Sequence, residues 1–481
     1  MTTRPPLPAL LERLRAALGP RGVVTDAEAL APHLVDWRGL YRGRSPALLR
    51  PADTAELARA VRLCAEAGVA LVPQGGNTSM VGGAVPDESG TQLVLSLARL
   101  DRVRGVDPVD LTLTVEAGAT LKAAQEAAEA ADCFLPLSIG AEGTAEIGGV
   151  LSTNAGGILT LRYGNARDLV LGLEVVLADG TVWNGLRRLR KDNTGYCLRQ
   201  LFVGAEGTLG VITAAVLKLA PAIRSRAVGF VGLASAQDAL ALYRRCTRFD
   251  PAALHAFEFM NATGMELVLR HIPQSRLPLA APHPCYVLVE LASPRPGAPL
   301  AEEIEEVLAD ALAAGEIGDA TVAASAAQTA AIWRLRETHP EAGRLAGAVI
   351  RNDVSVPVSA VPAFLAEAEA ACRARVAGLR LIAFGHLGDG NIHFNLLAPE
   401  GAEPAGFLAR MAELMDAVND VVRRFDGSFS AEHGIGRLKT GTLAEWRAGT
   451  EIALMRRLKA AFDPAGVLNP GKLLACPPGP A

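Results

Sequence analysis

The sequence lacks several features that mark particular protein classes. Its seven cysteines are scattered and form no Cys-x-x-Cys pair, which argues against a zinc finger, a ferredoxin-type cluster and a disulfide framework, and favours a reduced cytoplasmic setting. The 47 Lys and Arg residues are balanced by 51 Asp and Glu residues, so nucleic acid is not an expected partner. No apolar run approaches the ~18 residues that span a bilayer, and the N-terminus has no apolar signal core, so we expect no membrane span.

What the chain does contain is ordinary for a folded protein. Hydrophobic residues make up 50% and charged residues 20% of its 481 positions, which disfavours disordered, collagen-like and coiled-coil classes. The length corresponds to two large domains or about three ordinary ones. Near the N-terminus, a helical spacing of leucines predicts an amphipathic helix rather than a transit peptide, at Leu10, Leu11, Leu14 and Leu18.

Alternating patterns predict a mixed α and β organisation. Between residues 51 and 221, β-prone runs alternate with Gly-rich loops, and a helix is predicted at Thr54–Ala67 with Thr54 as its cap and Gly68 as its stop. Beyond residue 222, the strands AVGFVGLAS, CYVLVELAS and LIAFGH alternate with helical stretches around 236–246, 300–314 and 361–377. One long helical pattern covers 442–462. We predict an α+β protein with domains at 1–222 and 223–425 and a C-terminal segment at 426–481.

The densest chemical signal is the loop PQGGNTSMVGG at residues 73–83, directly after a short apolar run. Gly75 and Gly76 permit positive φ and close backbone approach, so successive N–H groups can converge on an anion. Asn77, Thr78 and Ser79 add donors. We interpret this loop as a pyrophosphate cradle rather than a plain structural turn. Three other Gly-rich stretches, at 147–157, 204–210 and 469–472, would crowd the same kind of ligand.

Two other nucleotide-binding motifs do not fit. No stretch gives G-x-G-x-x-G between a strand and a helix, so a Rossmann nicotinamide site is not supported. The run GVLNPGKL at 466–473 departs from the phosphate-binding loop of ATPases, because Leu473 stands where a Ser or Thr would bind Mg²⁺. An ATPase is therefore rejected.

A second constellation lies at 381–397, where two apolar runs flank an Asp-Gly pair typical of a β-hairpin. A two-residue turn at Asp389 and Gly390 would place His386 directly opposite His393. Paired β-carbons lie about 4.5–5.5 Å apart, a separation from which two imidazoles can bind one metal ion. Strand alternation places Asn395 on the same face as His393.

Further along, the segment SFSAEHGIG presents Glu432 and His433 before a glycine turn. A carboxylate there can complete a His₂Glu set with one open position, the pattern of catalytic zinc. Adjacency alone does not decide which of Glu432 and His433 touches the metal. Such a set also activates water, so a zinc hydrolase is the alternative from a different class.

The glycine motifs together resemble a known family. The runs PQGGNTSMVGG, GAEGTAEIGGVLSTNAGGILTLRYGNARDLVLGLEVVLADG and GAEGTLGVIT look like the FAD-binding domain of vanillyl-alcohol oxidase-type flavoproteins. Within that fold the chain is similar, over nearly its whole length, to the FAD-linked 2-hydroxyacid dehydrogenases. The resemblance implies a two-subdomain FAD-binding domain, an α+β substrate (cap) domain with an antiparallel sheet, and a C-terminal helical segment that completes the active site and returns to the FAD domain.

The resemblance also implies which residues bind FAD. Pyrophosphate would lie against Pro73, Gly75, Gly76, Asn77, Thr78, Ser79, Gly82 and Gly83. The flavin would be lined by Pro136, Ser138, Gly140, Thr144, Gly148 and Asn154, with Asn469 returning to it from the C-terminus. The adenosine half would lie near Glu206, Gly207 and Ile212. Some relatives tether FAD through a His in the first loop, and because this chain has Asn77 there, we expect non-covalent FAD.

The same resemblance assigns chemical roles around the metal. His386, His393 and Glu432 would be the ligands of Zn²⁺ or of another divalent ion such as Mn²⁺, Fe²⁺ or Co²⁺, and His433 the catalytic base. The substrate-binding residues would be Arg336, Asn395 and Arg351, the last standing where relatives commonly carry Lys. Pro340 stands where the hydroxyglutarate enzymes are expected to have a Thr donor, which puts recognition of a distal carboxylate in question.

The implied function is FAD- and metal-dependent oxidation of a D-2-hydroxy acid, such as D-2-hydroxyglutarate or D-lactate, to the 2-oxo acid by hydride transfer to flavin. A glycolate oxidase-type subunit and the zinc hydrolase are the alternatives. Because the chain has no iron-sulfur motif, electrons would leave to a separate acceptor, an electron-transfer flavoprotein or a quinone system. A homodimer is compatible with the sequence.

Overall fold

A computed structural model describes residues 6–475. The chain divides into two compact units. The first takes in the residues up to Gly156, then Gly164–Ala222 and the residues from Glu432 onward, and the second comprises Gly157–Tyr163 and Ile223–Ala431. Cys476, the last of the seven cysteines, lies outside the described residues, and no disulfide joins the six others. Within residues 6–475, no helix is both long and apolar enough to cross a membrane.

The helices are numbered in chain order over the described residues. They are α1 Leu7–Leu18, α2 Ala27–Leu30, α3 Thr54–Ala67, α4 Leu121–Ala130, α5 Ile147–Ser152, α6 Thr160–Tyr163, α7 Ala166–Leu169, α8 Arg199–Phe202, α9 Ala236–Phe249, α10 Ala262–His271, α11 Leu300–Ala313, α12 Ala326–Glu337, α13 His339–Ala346, α14 Val361–Arg373, α15 Pro404–Leu408, α16 Met411–Arg424, α17 Thr440–Trp446 and α18 Thr450–Phe462. Short 3₁₀ turns lie at Ala31–His33, Val358–Ala360 and Leu387–Asp389.

The strands are numbered in the same way. They are β1 Val23–Val24, β2 Leu48–Leu49, β3 Leu71–Gln74, β4 Leu93–Ser96, β5 Val103–Asp107, β6 Thr112–Glu116, β7 Cys133–Phe134, β8 Val170–Val176, β9 Val182–Gly185, β10 Val211–Lys218, β11 Ala220–Pro221, β12 Ser225–Leu233, β13 Leu254–Asn261, β14 Cys285–Ser293, β15 Asp319–Val322, β16 Val349–Ile350, β17 Asp353–Ser355, β18 Arg380–His386 and β19 Asn391–Leu397.

The first unit is built on two main sheets. The smaller has the order β1-β2-β4-β3, with β2, β4 and β3 parallel, and the larger is the antiparallel sheet β5-β6-β10-β8-β9. Strands β4, β8 and β10 are predominantly apolar in sequence and are buried along almost their whole length. The C-terminal chain returns to the smaller sheet, where Leu468 bridges Leu71 of β3.

Two details of the predicted helices are wrong. The cap of α3 is Asp53, whose carboxylate accepts the amide of Glu56 at 2.7 Å, rather than Thr54, while Gly68 ends the helix at φ 63° as expected. The single pattern at 442–462 forms two helices, because Gly449 between α17 and α18 adopts φ 80°, which an α-helix cannot accommodate.

The second unit is an antiparallel sheet covered by helices. Its strands follow the order β15-β12-β14-β13-β18-β19-β16, and β17 also pairs with β19. Helices α10, α12 and α13 share one hydrophobic core with β12, β13, β14 and β18, in which Phe230, Met260 and Phe384 are buried. Each such large side chain contributes roughly 1.5–3 kcal/mol when fully buried. The α+β fold class with an antiparallel sheet in the second part of the chain is confirmed.

Candidate functional site

The Gly-rich loop after β3 packs too closely against its neighbours to accept larger residues. A Cβ on Gly76 would lie 1.7 Å from the carbonyl oxygen of Thr144, and one on Gly82, at φ 69°, would lie 2.4 Å from the Tyr41 ring. Backbone contact between the loops at Gly76 and Thr144 therefore requires glycine at position 76. Two loops that the sequence analysis assigned to the same ligand are in contact here.

The polar residues of this loop bind the backbone around them. Asn77, at φ 53°, donates through Nδ2 to the carbonyl oxygens of Pro32 and Val35 at 3.2 and 2.9 Å. The Ser79 hydroxyl accepts the amides of Val81 and Gly83 at 3.4 and 3.3 Å. These bonds hold the loop in a defined shape, which is what a preformed anion cradle requires.

The residues predicted to line the flavin, between positions 136 and 154, include both buried and exposed positions. Gly148 packs on Ala117, since an added Cβ would lie 2.8 Å from the Ala117 Cβ, and Asn154, at φ 52°, accepts the amide of Arg167 at 2.9 Å. Ser138 donates to Glu142 at 2.7 Å. Pro136 is buried, whereas Gly140 is exposed and an added Cβ would meet nothing within 4 Å.

The third stretch joins the C-terminal chain to the first loop. Asn469 donates through Nδ2 to the carbonyl oxygens of Gly83 and Glu206, at 3.1 and 2.7 Å. A Cβ on Gly207 would lie 3.2 Å from the Pro73 ring, so this loop also contacts the end of β3. Ile212 lies within strand β10, buried and paired with Val175.

The carboxylate of Glu206 has a structural role that the sequence analysis missed. It accepts the amides of Ile435 and Gly436 at 2.7 and 2.8 Å, directly after the Glu432-His433 pair. Burial raises the pKa of Glu206, while the two amide bonds and Lys439 oppose that shift. The loop that carries His433 is thus held from behind by a buried carboxyl group.

Two buried oxygens at these loops have no hydrogen-bond partner among residues 6–475: Asn469 Oδ1 and Glu146 Oε2. Glu146 lies beside the first loop, with Oε2 3.5 Å from the position of a Cβ on Gly75. Burial, with a smaller contribution from Asp101, raises the pKa of Glu146 to about 8. Since buried polar groups are nearly always satisfied, the two oxygens fit loops that receive a ligand with hydrogen-bonding groups. Sequence reasoning missed Glu146, although a lone carboxyl group in the apolar-Gly run AEIGGV was a signal.

The histidines of the second unit share a face of its sheet, but the predicted hairpin register is wrong. The connection between β18 and β19 is a 3₁₀ turn at Leu387–Asp389 rather than a two-residue turn. His386 therefore pairs with Asn391, and His393 pairs with Phe384. Because the shift is by two residues, both imidazoles stay on one face, and their ring centroids lie 5.9 Å apart.

A buried carboxylate lies behind His386. Glu258 of β13 pairs directly with His386 across the sheet, and its Oε1 lies 2.6 Å from His386 Nδ1. Its Oε2 accepts the Nε of Arg336 at 2.7 Å. Burial would raise the pKa of Glu258, but His386 and Arg336 hold it at about 2. Sequence reasoning missed this residue, and the signal was a single acid in the apolar strand LHAFEFMN.

A second carboxylate lies beside His393. Asp353 of β17 pairs with His393 in the sheet, with Oδ1 4.0 Å from His393 Nδ1, and the same Oδ1 accepts the side-chain Nδ2 of Asn391 at 3.0 Å. Asn395 follows two residues later on the same strand face and is buried. Arg351, between β16 and β17, is half-buried, and burial together with Arg344 lowers its pKa.

The segment that leads to Glu432 is anchored on β17. Ser428 and Ser355 exchange two backbone hydrogen bonds, and the amide of Ala431 donates to the carbonyl oxygen of Asp353 at 3.4 Å. Glu432 is the next residue along the chain, half-buried like His433, and its Oε1 lies 3.9 Å from His433 Nε2. Glu432 and His433 therefore offer a carboxylate and an imidazole from adjacent positions of the chain.

Comparisons with known proteins identify the class. Residues 45–185 match the family described as the FAD binding domain, and residues 223–473 match the one described as the C-terminal domain of FAD linked oxidases. Among solved structures, p-cresol methylhydroxylase superposes with a TM-score of 0.76 over 97% of both chains at 17% identity, which shows the fold alone. The fold is the FAD-binding fold of the vanillyl-alcohol oxidase type, as predicted.

Curated relatives narrow the class to a family. Bovine mitochondrial D-2-hydroxyglutarate dehydrogenase is 41% identical over 461 residues, covering 95% of this chain and 81% of the relative. D-2-hydroxyglutarate dehydrogenase of Xanthomonas citri pv. viticola is 39% identical and covers 91% of both chains. The chain belongs to the family of FAD-linked 2-hydroxyacid dehydrogenases, and it is an FAD-linked oxidoreductase. The zinc hydrolase alternative loses its support, while the cytoplasmic location stays a prediction.

Proposed function

We propose that the protein oxidises a D-2-hydroxy acid to the corresponding 2-oxo acid with FAD and a divalent metal ion, and that D-2-hydroxyglutarate is the first substrate to test. The observation that carries this proposal is the pair of carboxylate-backed histidines in a chain 41% identical to a D-2-hydroxyglutarate dehydrogenase. A cluster of this kind suits a metal-assisted oxidation, in which a bound ion polarises the hydroxyl oxygen of the substrate.

We infer that His386, His393 and Glu432 hold the metal, with Zn²⁺ as the first candidate ion. Imidazole nitrogens and carboxylate oxygens suit Zn²⁺, and they also accept Mn²⁺, Fe²⁺ and Co²⁺. Chain connectivity supports Glu432, since it directly follows Ala431, whose amide is bound to the Asp353 carbonyl oxygen. Asp353 is a further carboxylate beside His393.

The bound groups would supply the two functions that side chains lack. FAD, when bound, accepts two electrons and the α-hydrogen of the substrate as a hydride equivalent. A divalent ion, when bound, acts as a Lewis acid toward the hydroxyl oxygen. We propose non-covalent FAD, because Asn77 has neither the nucleophile nor the freedom for a tether, its amide being bound to Pro32 and Val35.

The chain itself would bind the substrate and accept its proton. His433 is the proposed general base for the hydroxyl proton, on a loop held by the Glu206 carboxyl group. Arg336 is the proposed partner of a substrate carboxylate, because a guanidinium can bind both oxygens at once. Asn395 and Arg351 are further candidates for binding the substrate carboxylates. Arg351 keeps the charge of the Lys that relatives commonly carry there, but its planar guanidinium binds with a different geometry.

One departure bears on substrate choice. Pro340 lies in the first turn of α13, where proline is well tolerated, and it cannot donate a hydrogen bond to a distal carboxylate. We therefore propose that any recognition of a second carboxylate depends on Arg351 or Arg336 rather than on position 340.

The test is an anaerobic titration of the purified flavoprotein, followed by its visible spectrum. D-2-Hydroxyglutarate, L-2-hydroxyglutarate, D-lactate and glycolate are each added to metal-loaded enzyme and to enzyme treated with a chelator. We expect D-2-hydroxyglutarate to bleach the FAD and the chelator to prevent bleaching, with activity restored by Zn²⁺ or Mn²⁺. Bleaching by glycolate alone would favour the glycolate oxidase alternative, and bleaching that chelation leaves unchanged would refute the metal assignment.

A further inference from the structure

One buried carboxylate connects the proposed metal-binding histidine to the proposed substrate arginine. Glu258 is only 1% exposed and lies on β13, opposite His386 of β18. Its two oxygens bind different partners, Oε1 the Nδ1 of His386 at 2.6 Å and Oε2 the Nε of Arg336 at 2.7 Å. Both oxygens of a single side chain are thus committed to two residues of the candidate site.

The first bond determines the tautomer of His386. Because the permanently charged Arg336 donates to the other oxygen of Glu258, we infer that Oε1 accepts from His386 and that the proton of this bond resides on His386 Nδ1. The lone pair of the neutral ring then lies on Nε2, the nitrogen through which the proposed metal ion would be bound. A carboxylate behind a metal-binding imidazole fixes the ring orientation and raises the basicity of the ligand nitrogen.

The second bond fixes the guanidinium of Arg336. This residue lies in the last turn of α12, and its guanidinium carbon lies 4.8 Å from the centroid of the Phe384 ring. Only its Nε is bound to Glu258, and the guanidinium makes no other hydrogen bond within residues 6–475. Glu258 and Phe384 therefore fix the orientation of the guanidinium plane. Its two terminal amino groups can bind both oxygens of a carboxylate at once.

We propose that Glu258 is a positioning residue that orients both His386 for the metal and Arg336 for the substrate carboxylate, so that metal affinity and substrate affinity depend on one side chain. This inference rests on the proposed function, since it assumes that His386 binds the metal and that Arg336 binds the substrate. It adds that the two binding events share a common support.

The test compares Glu258→Gln with a matched control, Glu290→Gln. Glu290 lies in β14 of the same sheet, is 3% exposed, and also accepts an arginine, Arg226 at 2.9 Å, together with the indole of Trp333 at 2.8 Å. Both variants replace a buried glutamate of the same sheet by the isosteric glutamine. Only the change at Glu258 replaces one of the two oxygens that bind His386 and Arg336 by an NH₂ group, so that a single amide oxygen is left for the two partners.

Metal affinity is the primary readout. The metal-free holoflavoprotein is titrated with Zn²⁺ in competition with a chromogenic chelator. We expect Glu258→Gln to weaken Zn²⁺ binding by about 10- to 100-fold, as the loss of an outer hydrogen-bond partner typically does, and Glu290→Gln to leave it unchanged. Equal Zn²⁺ affinity in wild type and Glu258→Gln would overturn the proposal. In metal-saturated enzyme, we also expect the KM for the hydroxy acid to rise in Glu258→Gln, because one neutral amide oxygen cannot hold both His386 and Arg336 as the carboxylate does.

A measurement on the wild-type protein covers the case in which Glu258→Gln does not fold. Nitrogen-15 NMR of histidine-labelled protein reports the tautomer of each imidazole, and His386 is assigned by the signal lost in His386→Gln. The proposal requires the proton of His386 on Nδ1 in the metal-free protein, and a proton on Nε2 would overturn it. If wild type binds no Zn²⁺ yet shows the Nδ1–H tautomer, the metal assignment fails while the positioning of His386 by Glu258 stands.

Discussion

Glu258 and His386 face each other across adjacent antiparallel strands, and the carboxylate of the first holds the Nδ1 of the second at 2.6 Å. The pair lies 128 positions apart in the sequence. Strand pairing in the second unit thus fixes the orientation of the His386 imidazole. A ring held in this way is suited to bind the proposed metal ion, because its support is a rigid sheet.

The base assignment predicts a separation between cofactor binding and chemistry. In His433→Ala, we expect FAD to bind normally while its reduction by substrate slows by about 100- to 10,000-fold, the usual contribution of a general base. Stopped-flow absorbance of the FAD band measures the rate. His271→Ala, at the end of α10, serves as the control and should reduce at the wild-type rate. If FAD in His433→Ala were reduced at the wild-type rate, His433 would not be the general base.

The loop contact at Gly76 predicts strong intolerance to substitution. Gly76→Ala should lower the free energy of unfolding by about 3 kcal/mol and abolish FAD retention, because the new Cβ would lie 1.7 Å from the Thr144 carbonyl oxygen and force the loops apart. Thermal unfolding and the ratio of flavin to protein absorbance are measured. Gly143→Ala is the control, since an added Cβ there meets nothing within 4 Å. A Gly76→Ala protein that keeps its FAD would contradict the description of this loop as closely packed.

The position of Asn469 predicts that the C-terminal chain supports the FAD site. Removal of its amide in Asn469→Ala leaves the carbonyl oxygens of Gly83 and Glu206 without their donor, which should cost about 1–3 kcal/mol of stability and weaken FAD binding. The apparent Kd for FAD is obtained from quenching of flavin fluorescence. Because Asn469 adopts φ 43°, Asn469→Gly separates the backbone effect from the lost bonds. Normal FAD affinity in Asn469→Gly would mean that the bonds do not support the site.

The carboxyl group of Glu146 predicts a specific pH dependence of stability. Its pKa is raised from 4.5 to about 8 by burial, so between about pH 4.5 and 8 the folded state keeps a proton that the unfolded chain releases. The free energy of unfolding contributed by this group therefore falls as the pH rises through that window. Glu146→Gln removes the dependence, and its stability should decline less than that of wild type from pH 5 to 8.

The comparison for Glu146 uses denaturant unfolding at several pH values with FAD in excess. Glu129→Gln, which changes an exposed carboxylate at the end of α4 of the same unit, should follow the wild-type curve. Parallel curves for wild type and Glu146→Gln would show that Glu146 ionises normally in the folded protein.

Much of the fold was predictable because the local signals agreed with the tertiary structure. The buried strands β4, β8 and β10 are predominantly apolar, and α3 ends at the glycine that its pattern indicated. The failures were at boundaries. Gly449 divides one helical pattern into two helices, and the connection after His386 is two residues longer than the predicted Asp-Gly turn. Both outcomes depend on backbone angles that a pattern of apolar residues does not report.

The sequence by itself determined which chemical groups are available. These are glycine loops that can approach an anion through their backbone, the histidines at 386 and 393, and the Glu432-His433 pair. Only the tertiary structure decided which groups support them. Glu258, Asp353 and the carboxyl group of Glu206 acquire their roles from partners distant in the chain, and burial in the folded protein raises the pKa of Glu146 and of Glu206. A long-range hydrogen bond leaves no periodicity in the sequence, because it is made by strand pairing and loop packing rather than by neighbours along the chain.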